Sequence, residues 1–248
     1  MRYFIKLQYD GSNHHGWQSQ PTEIPTIQGD IEKAFSKILR KKIEVVGCGR
    51  TDTGVHARDY YMHMDLDHLD WKLFGRVNRL VSDNIALLNF KAVTDDAHAR
   101  FDAISRSYEY HIHFQKNPFI NGRSFLFPHK SYDRKKMKEA VAMLTEYTHF
   151  DTFCKSNTDV IEKVCEITRS EWVFNEDGAV YYVSANRFLR GMIRLIVGMS
   201  LQVARGQMEL EYVKQQLSNQ ERLEKALSAP AHGLYLCDIK YPFIDQGE

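Results

Sequence analysis

Apolar side chains fall on every second position from Tyr3 to Tyr9, with Phe4, Lys6 and Gln8 between them, and this period of two predicts a strand with one mostly apolar face. Asp10 to Asn13 then turn the chain. After Thr26 the period changes. Ile27, Ile31, Ala34, Phe35, Ile38 and Leu39 recur at three- and four-residue intervals, the stripe of a helix, and Thr26 can cap its first turn. Strands are expected at 43–48 and 60–66, a helix around Trp71, Phe74, Val77 and Leu80, and a strand from Ile85 to Phe90.

The second half repeats this order loosely. Tyr108, Tyr110, Ile112 and Phe114 alternate with Glu109, His111 and His113; the ring-rich face is either core or a platform for stacking bases, and core is expected for Tyr110 and Phe114. Beyond Pro118, Gly122 and Pro128, Asp133 caps a helix bearing Met137, Ala140, Val141 and Leu144. Strands at 164–174 and 179–185, helices at 187–205 and 209–218, and a strand at 234–241 follow. The order predicts an α/β (α+β) fold of two similar split βαβ-type halves, residues 1–105 and 106–248. They would form a largely antiparallel mixed sheet with helices on one face and an open cleft on the other.

Composition narrows the function. The chain of 248 residues can bury a sizeable core. No apolar run approaches the length of about 20 residues that spans a bilayer, so no signal peptide or membrane anchor is expected and the cytoplasm is the default address. Cys48, Cys154, Cys165 and Cys237 lie far apart without CxxC spacing, which predicts reduced thiols, no disulfide and no structural zinc. The net charge of +1 argues against a broad basic surface, so any polyanion contact must come from local clusters. Lys37, Arg40, Lys41 and Lys42 form one, and Arg134, Lys135, Lys136 and Lys138 another; each taken singly also reads as ordinary solvated helix surface.

Chemistry concentrates in GRTDTGVHA, Gly49 to Ala57, a glycine-bounded loop between two strands. Arg50 lies two residues before Asp52; paired, it would lower the carboxylate pKa by about 1 to 3 units and make Asp52 a candidate nucleophile or general base. A dinucleotide fingerprint is excluded, because the third glycine of GxGxxG falls on Asp52. Asp52, Thr53 and Gly54 also spell an aspartic protease triplet, which needs a second carboxylate that only another copy of the chain could supply. A hairpin loop with a surface ion pair is the third alternative. His56 has no second ligand at a suitable spacing and is expected to fix the loop by a hydrogen bond. The segment after Asn186 is apolar nearly all round and so predicts a buried helix. Arg187, Arg190 and Arg194 would fall within an arc of roughly 60° on it, which reads as a structural ion pair, a rim of solvent contact, or one of them completing the Asp52 site.

Six motifs stand in one order along the chain: YDGSNHHGWQSQ from Tyr9, TIQGDIEKA from Thr26, GRTDTGVHA from Gly49, ARFDAISRSYEYHI from Ala99, NRFLRGMIRLIVG from Asn186 and APAHGLYL from Ala229. Together they resemble the tRNA pseudouridine synthase A (TruA) family almost end to end. By that resemblance Asp52 matches the catalytic aspartate, Tyr108 the tyrosine that stacks on the target uracil, Arg194 the basic partner of the aspartate, and Arg50 the arginine that helps displace the target base. The resemblance implies conversion of uridine to pseudouridine on the 3′ side of the tRNA anticodon stem and loop. It also implies a homodimer, no cofactor and no metal, and a fold of two α/β halves with an RNA-binding cleft. Several positions depart from the family pattern. Thr53, Asp59 and Tyr60 replace a usual alanine, glycine and glutamine, His14 stands at a usual aromatic, Ser82 and Asn84 replace proline and aspartate, and His149 and Ala185 replace aspartate and glycine. None removes a proposed catalytic group. Two alternatives stay open: a non-catalytic RNA-binding relative, and a paralogue acting on another RNA.

Overall fold

The alternation that opens the chain becomes β1 (Arg2–Tyr9) in the computed structural model, which describes residues 1–21, 24–129, 131–154 and 163–244. β1 runs antiparallel to both of its neighbours, β3 (His56–Asp65) and β4 (Ile85–Val93), so that Ile5 faces Met62 on one side and Phe90 on the other. α1 (Ile27–Leu39) starts where Thr26 Oγ1 accepts from Gly29 N at 3.2 Å, and it buries Ile27, Ile31, Ala34 and Phe35. α2 (Trp71–Asn78), capped by Asp70, packs Phe74 against Phe90 with 5.0 Å between ring centres. β9 (Leu234–Lys240) joins parallel to β3, Tyr235 beside His56. The chain thus sorts into two units, Met1–Ile104 with the segment from Tyr235 onward, and Ser105–Leu234. In the first the strand order is β4-β1-β3-β9, and a short β2 (Val46–Gly47) pairs with β3.

In the second unit β5 (Ser105–His113), β8 (Gly178–Ala185) and β7 (Ile167–Phe174) form an antiparallel sheet in that order, with β6 (Phe125–Leu126) parallel to β5. Its core is built on Tyr110, Trp172 and Tyr181, each at most 2% exposed. Trp172 Nε1 donates to Ser200 Oγ on α4 (Met192–Ala204) at 3.2 Å, and Ser170 Oγ donates to Val141 O on α3 (Arg134–Ala142) at 2.7 Å. The first gives the buried indole N–H a partner, and the second joins β7 to α3. α5 (Leu210–Asn219) buries Val213 and Leu217.

The expected mixed, largely antiparallel sheet is present, the parallel pairings within the units being β3 with β9 and β5 with β6. Four local expectations change. The strand expected at 43–48 shrinks to Val46–Gly47 because α1 takes the backbone before it: Ser36 Oγ accepts from Ile43 N at 2.9 Å, and Glu32 Oε1 accepts from Val45 N at 3.0 Å. β3 starts at His56 rather than Tyr60, since the pairing with β1 and β9 reaches back to Ala57 and His56. The helix expected from 187 starts at Met192, after Gly191 at φ 73°. Phe114 is half-buried rather than core, lying against Tyr132 and the Arg134 guanidinium.

Candidate active site

The Asp52 loop is held from outside itself. Gly16 sits at φ 84°, and a Cβ there would stand 2.4 Å from Thr51 O, so the GWQ turn approaches the loop backbone to backbone. Trp17 N donates to Thr51 O at 3.2 Å, and the Tyr9 hydroxyl lies 2.9 Å from Thr51 Oγ1. On the other strand of the loop the Tyr60 hydroxyl donates to Gly49 O at 2.6 Å. The Tyr60 ring stacks on Trp17 at 4.2 Å and 28° and meets Tyr9 edge-on at 5.4 Å. Burial with no solvent exposure pushes the Tyr60 phenol well above its ordinary pKa, so it is a hydrogen-bond donor throughout the working range. His56 takes the expected loop-fixing place, its Nδ1 accepting from Gly11 N at 3.2 Å while its ring stacks on Tyr235 at 4.6 Å. At the apex Val55 N donates to Asp52 O at 3.1 Å; Asp52 is half-buried and Arg50 exposed.

Two more of the expected site residues lie in the second unit. Tyr108, on β5 opposite Val183, is half-buried with Phe188 edge-on to its ring at 5.3 Å and 86°. Tyr110, on the same strand face, is fully buried and donates to Pro230 O at 2.7 Å. Burial raises its phenol pKa, and the Arg194 charge opposes that rise. Arg194 is laced to the same segment in both directions, since its Nε donates to Ala229 O at 2.7 Å and Ala229 N donates to Arg194 O at 2.9 Å. The segment around Ala229 and Pro230 is therefore tied to α4 by one residue and to β5 by the next. The three-arginine arc does not form, because Arg187 and Arg190 precede the first turn and Arg194 alone of the three is on the helix.

Arg50 and Asp52 thus belong to the first unit and Tyr108 and Arg194 to the second. The bracing rings Tyr9, Trp17 and Tyr60 had no part in the sequence-based site, although Tyr60 stands where a glutamine is usual. Asp59, its neighbour, is another departure, buried with Lys6 Nζ 3.3 Å away; burial raises its carboxyl pKa against the pull of that ammonium. His14, 3% exposed, lies with Nε2 3.0 Å from Asp30 Oδ2 on α1. Each has a charged neighbour within the first unit, while His14 Nδ1 is buried without a hydrogen-bond partner among the described residues. Asn84 contributes its backbone, accepting from Asp10 N at 2.9 Å.

Comparison with known proteins agrees with the motifs. A family model described as tRNA pseudouridine synthase matches residues 143–242. A tRNA pseudouridine synthase A of Bacteroides thetaiotaomicron is 41% identical over 247 residues, covering 97% of this chain and 91% of that protein. The protein of the same name from Porphyromonas gingivalis is 41% identical over 248 residues, covering 97% of each. That of Bacillus subtilis is 33% identical, covering 97% of this chain and 99% of its own length. Among solved structures, a CRISPR endoribonuclease Cse3 bound to RNA covers 82% of this chain and 97% of its own at 10% identity and a TM-score of 0.23, too low to bear on the fold. With identity of this degree running along nearly the whole length of both partners, the chain belongs to the tRNA pseudouridine synthase A family.

Proposed function

We propose that this chain converts uridine to pseudouridine in the anticodon arm of tRNA, in the cytoplasm and as a homodimer, with Asp52 as the catalytic carboxylate. The observation that carries the reading is Asp52 itself, in a motif that matches the family's, on a loop braced by Tyr9, Trp17 and Tyr60. The reaction breaks a glycosidic bond, turns the uracil, rejoins it through carbon and removes a proton from that carbon, with no change of oxidation state. Attack on the sugar, attack on the base and assisted elimination all need a carboxylate held in place. Arg194 is assigned as the cation that keeps it ionised, an interaction that strengthens as water leaves the site. Tyr108 stacks on the extruded uracil, worth about 1 to 3 kcal/mol, and its hydroxyl takes part in removing the carbon-bound proton. Arg50 helps displace the base. Extrusion costs a few kcal/mol, which contacts to RNA phosphates offset.

The test is tritium release from carbon 5 of uridine in transcribed tRNA, with the native protein and with Asp52→Asn, followed by mapping of the modified positions. Release from anticodon-arm sites that disappears in Asp52→Asn, while RNA binding persists, is expected. Turnover by Asp52→Asn at the native rate overturns the assignment of the carboxylate. Binding of tRNA without release from any uridine overturns the enzymatic reading in favour of a non-catalytic RNA-binding relative.

A further inference from the structure

We propose that Tyr60 is a positioning residue for the reaction: its hydroxyl, by holding Gly49 O, sets where the Asp52 carboxylate stands. The inference rests on Asp52 being the catalytic group. The two ends of the short stretch before Asp52 are held in different ways. At Thr51 the chain is gripped by Trp17 N, by the Tyr9 hydroxyl and by the close approach of Gly16. At Gly49 packing gives no such grip, since a Cβ built there would meet nothing within 4 Å. Arg50, between them, is exposed. β2 and Cys48 N, which donates to Tyr61 O at 2.9 Å, tie the chain to β3 as far as Cys48, and the hydrogen bond from Tyr60 at 2.6 Å carries that restraint one residue further, to Gly49 O.

That donor is itself immobile. Tyr60 sits on β3 opposite Leu7 of β1, is fully buried and stacks on Trp17 at 4.2 Å. Gly47 leaves the room its hydroxyl needs, because a Cβ on Gly47 would stand 2.2 Å from the Tyr60 oxygen and 2.5 Å from Trp17 Cε2. A rigid strand, a stacked ring and one short bond thus connect the sheet to the third residue before Asp52. An error of an ångström in a reacting group is costly to turnover while leaving substrate affinity nearly unchanged.

Tyr60→Phe removes one oxygen atom and keeps the ring. Tyr181→Phe, which removes an equally buried hydroxyl bonded to Ser170 Oγ at 2.8 Å in the second unit, is the control for a general loss of stability. Single-turnover rate and tRNA dissociation constant are measured for both, together with the rate of tryptic cleavage after the exposed Arg50. The loss of one neutral hydrogen bond predicts a fall in rate of roughly 3- to 10-fold for Tyr60→Phe. It also predicts a dissociation constant within about twofold of native and faster cleavage at Arg50 by a similar factor. Tyr181→Phe is expected to match the native protein in rate and in Arg50 cleavage. A Tyr60→Phe rate within twofold of native overturns the proposal, as does a slow rate without faster cleavage at Arg50, or an equal fall in both variants. A native protein that binds tRNA and modifies none overturns the functional reading instead; the Arg50 cleavage still decides whether the hydroxyl holds the loop.

Discussion

Adding one methyl group to Gly198 tests how closely α4 must approach the segment that holds Arg194. A Cβ at Gly198 would stand 1.7 Å from Leu227 O and 2.7 Å from its carbonyl carbon, both backbone atoms that cannot rotate aside. An ordinary carbon–oxygen contact is about 3.3 to 3.6 Å, so helix and segment must part by roughly 1.5 Å or more. Overpacking of this kind costs about 1 to 3 kcal/mol. Separation also strains the reciprocal bonds between Arg194 and Ala229, at 2.7 and 2.9 Å, whose loss adds about 2 to 4 kcal/mol. Helix propensity returns about 1 kcal/mol for alanine over glycine. The balance is a destabilisation of about 2 to 6 kcal/mol, or a fall in Tm on the order of 5 to 20 °C for a chain of this size. Gly75 is the internal comparison. It lies inside α2, nothing stands within 4 Å of the added carbon, and Gly75→Ala is expected to stabilise by about 0.5 to 1 kcal/mol. Thermal and urea unfolding of the two variants beside the native protein decide the matter. A Gly198→Ala protein as stable as Gly75→Ala refutes the close approach on which the placement of Arg194 depends.

Tyr108→Phe is expected to bind tRNA as the native protein does and to turn over at least about tenfold more slowly; native turnover would exclude its hydroxyl from the proton transfer. Thr26→Ala is expected to cost about 1 kcal/mol by uncapping α1, read from the urea midpoint, and no change would mean that Gly29 N finds another acceptor. Burial, aided by the Arg2 charge, holds the His63 imidazole pKa down at about 4, and its Nδ1 accepts from Ala99 N at 3.0 Å. The unfolded chain binds a proton near pH 6.5 that the fold refuses. This contribution is therefore complete above about 6.5 and is lost as pH falls toward 4, by up to about 3 kcal/mol. Urea unfolding between pH 7 and 4 should fall less steeply in His63→Gln than in the native protein; parallel curves would show that His63 takes its proton in the fold.

What periodicity could reveal, and what it could not, divides along physical lines. The capped helices after Thr26 and Asp133 and the alternating strands from Tyr3 and Tyr108 rest on local rules and stand where the pattern puts them. Residues 43–45 fit a strand equally well by pattern, yet Ser36 and Glu32 reach over from α1 and claim their amides, a contact no local pattern records. The start of α4 was hidden for a related reason: Phe188 and Leu189 extend the apolar run of the helix toward the N-terminus, and the break depends on the left-handed Gly191. At the site, motif spacing carries Asp52, Tyr108 and Arg194 as candidates. It carries nothing of Tyr60, whose proposed role lies in a bond to a carbonyl eleven residues earlier and in the space that Gly47 leaves for it.

The pairing of β9 with β3 has a consequence for how the protein is made. The first unit is discontinuous in sequence, with all of Ser105–Leu234 between its two pieces. On the ribosome, β3 and the loop that precedes it emerge long before Tyr235 and Leu236, the residues that flank His56 and Ala57, have been translated. The second unit can complete its own sheet during this interval, whereas the start of β3, at His56 and Ala57, stays unpaired on the side that β2 does not cover, an exposed stretch of the kind that recruits foreign chains. The unit begun first is thus the unit finished last, and the ring of Tyr235 that stacks on His56 is among its final pieces to arrive.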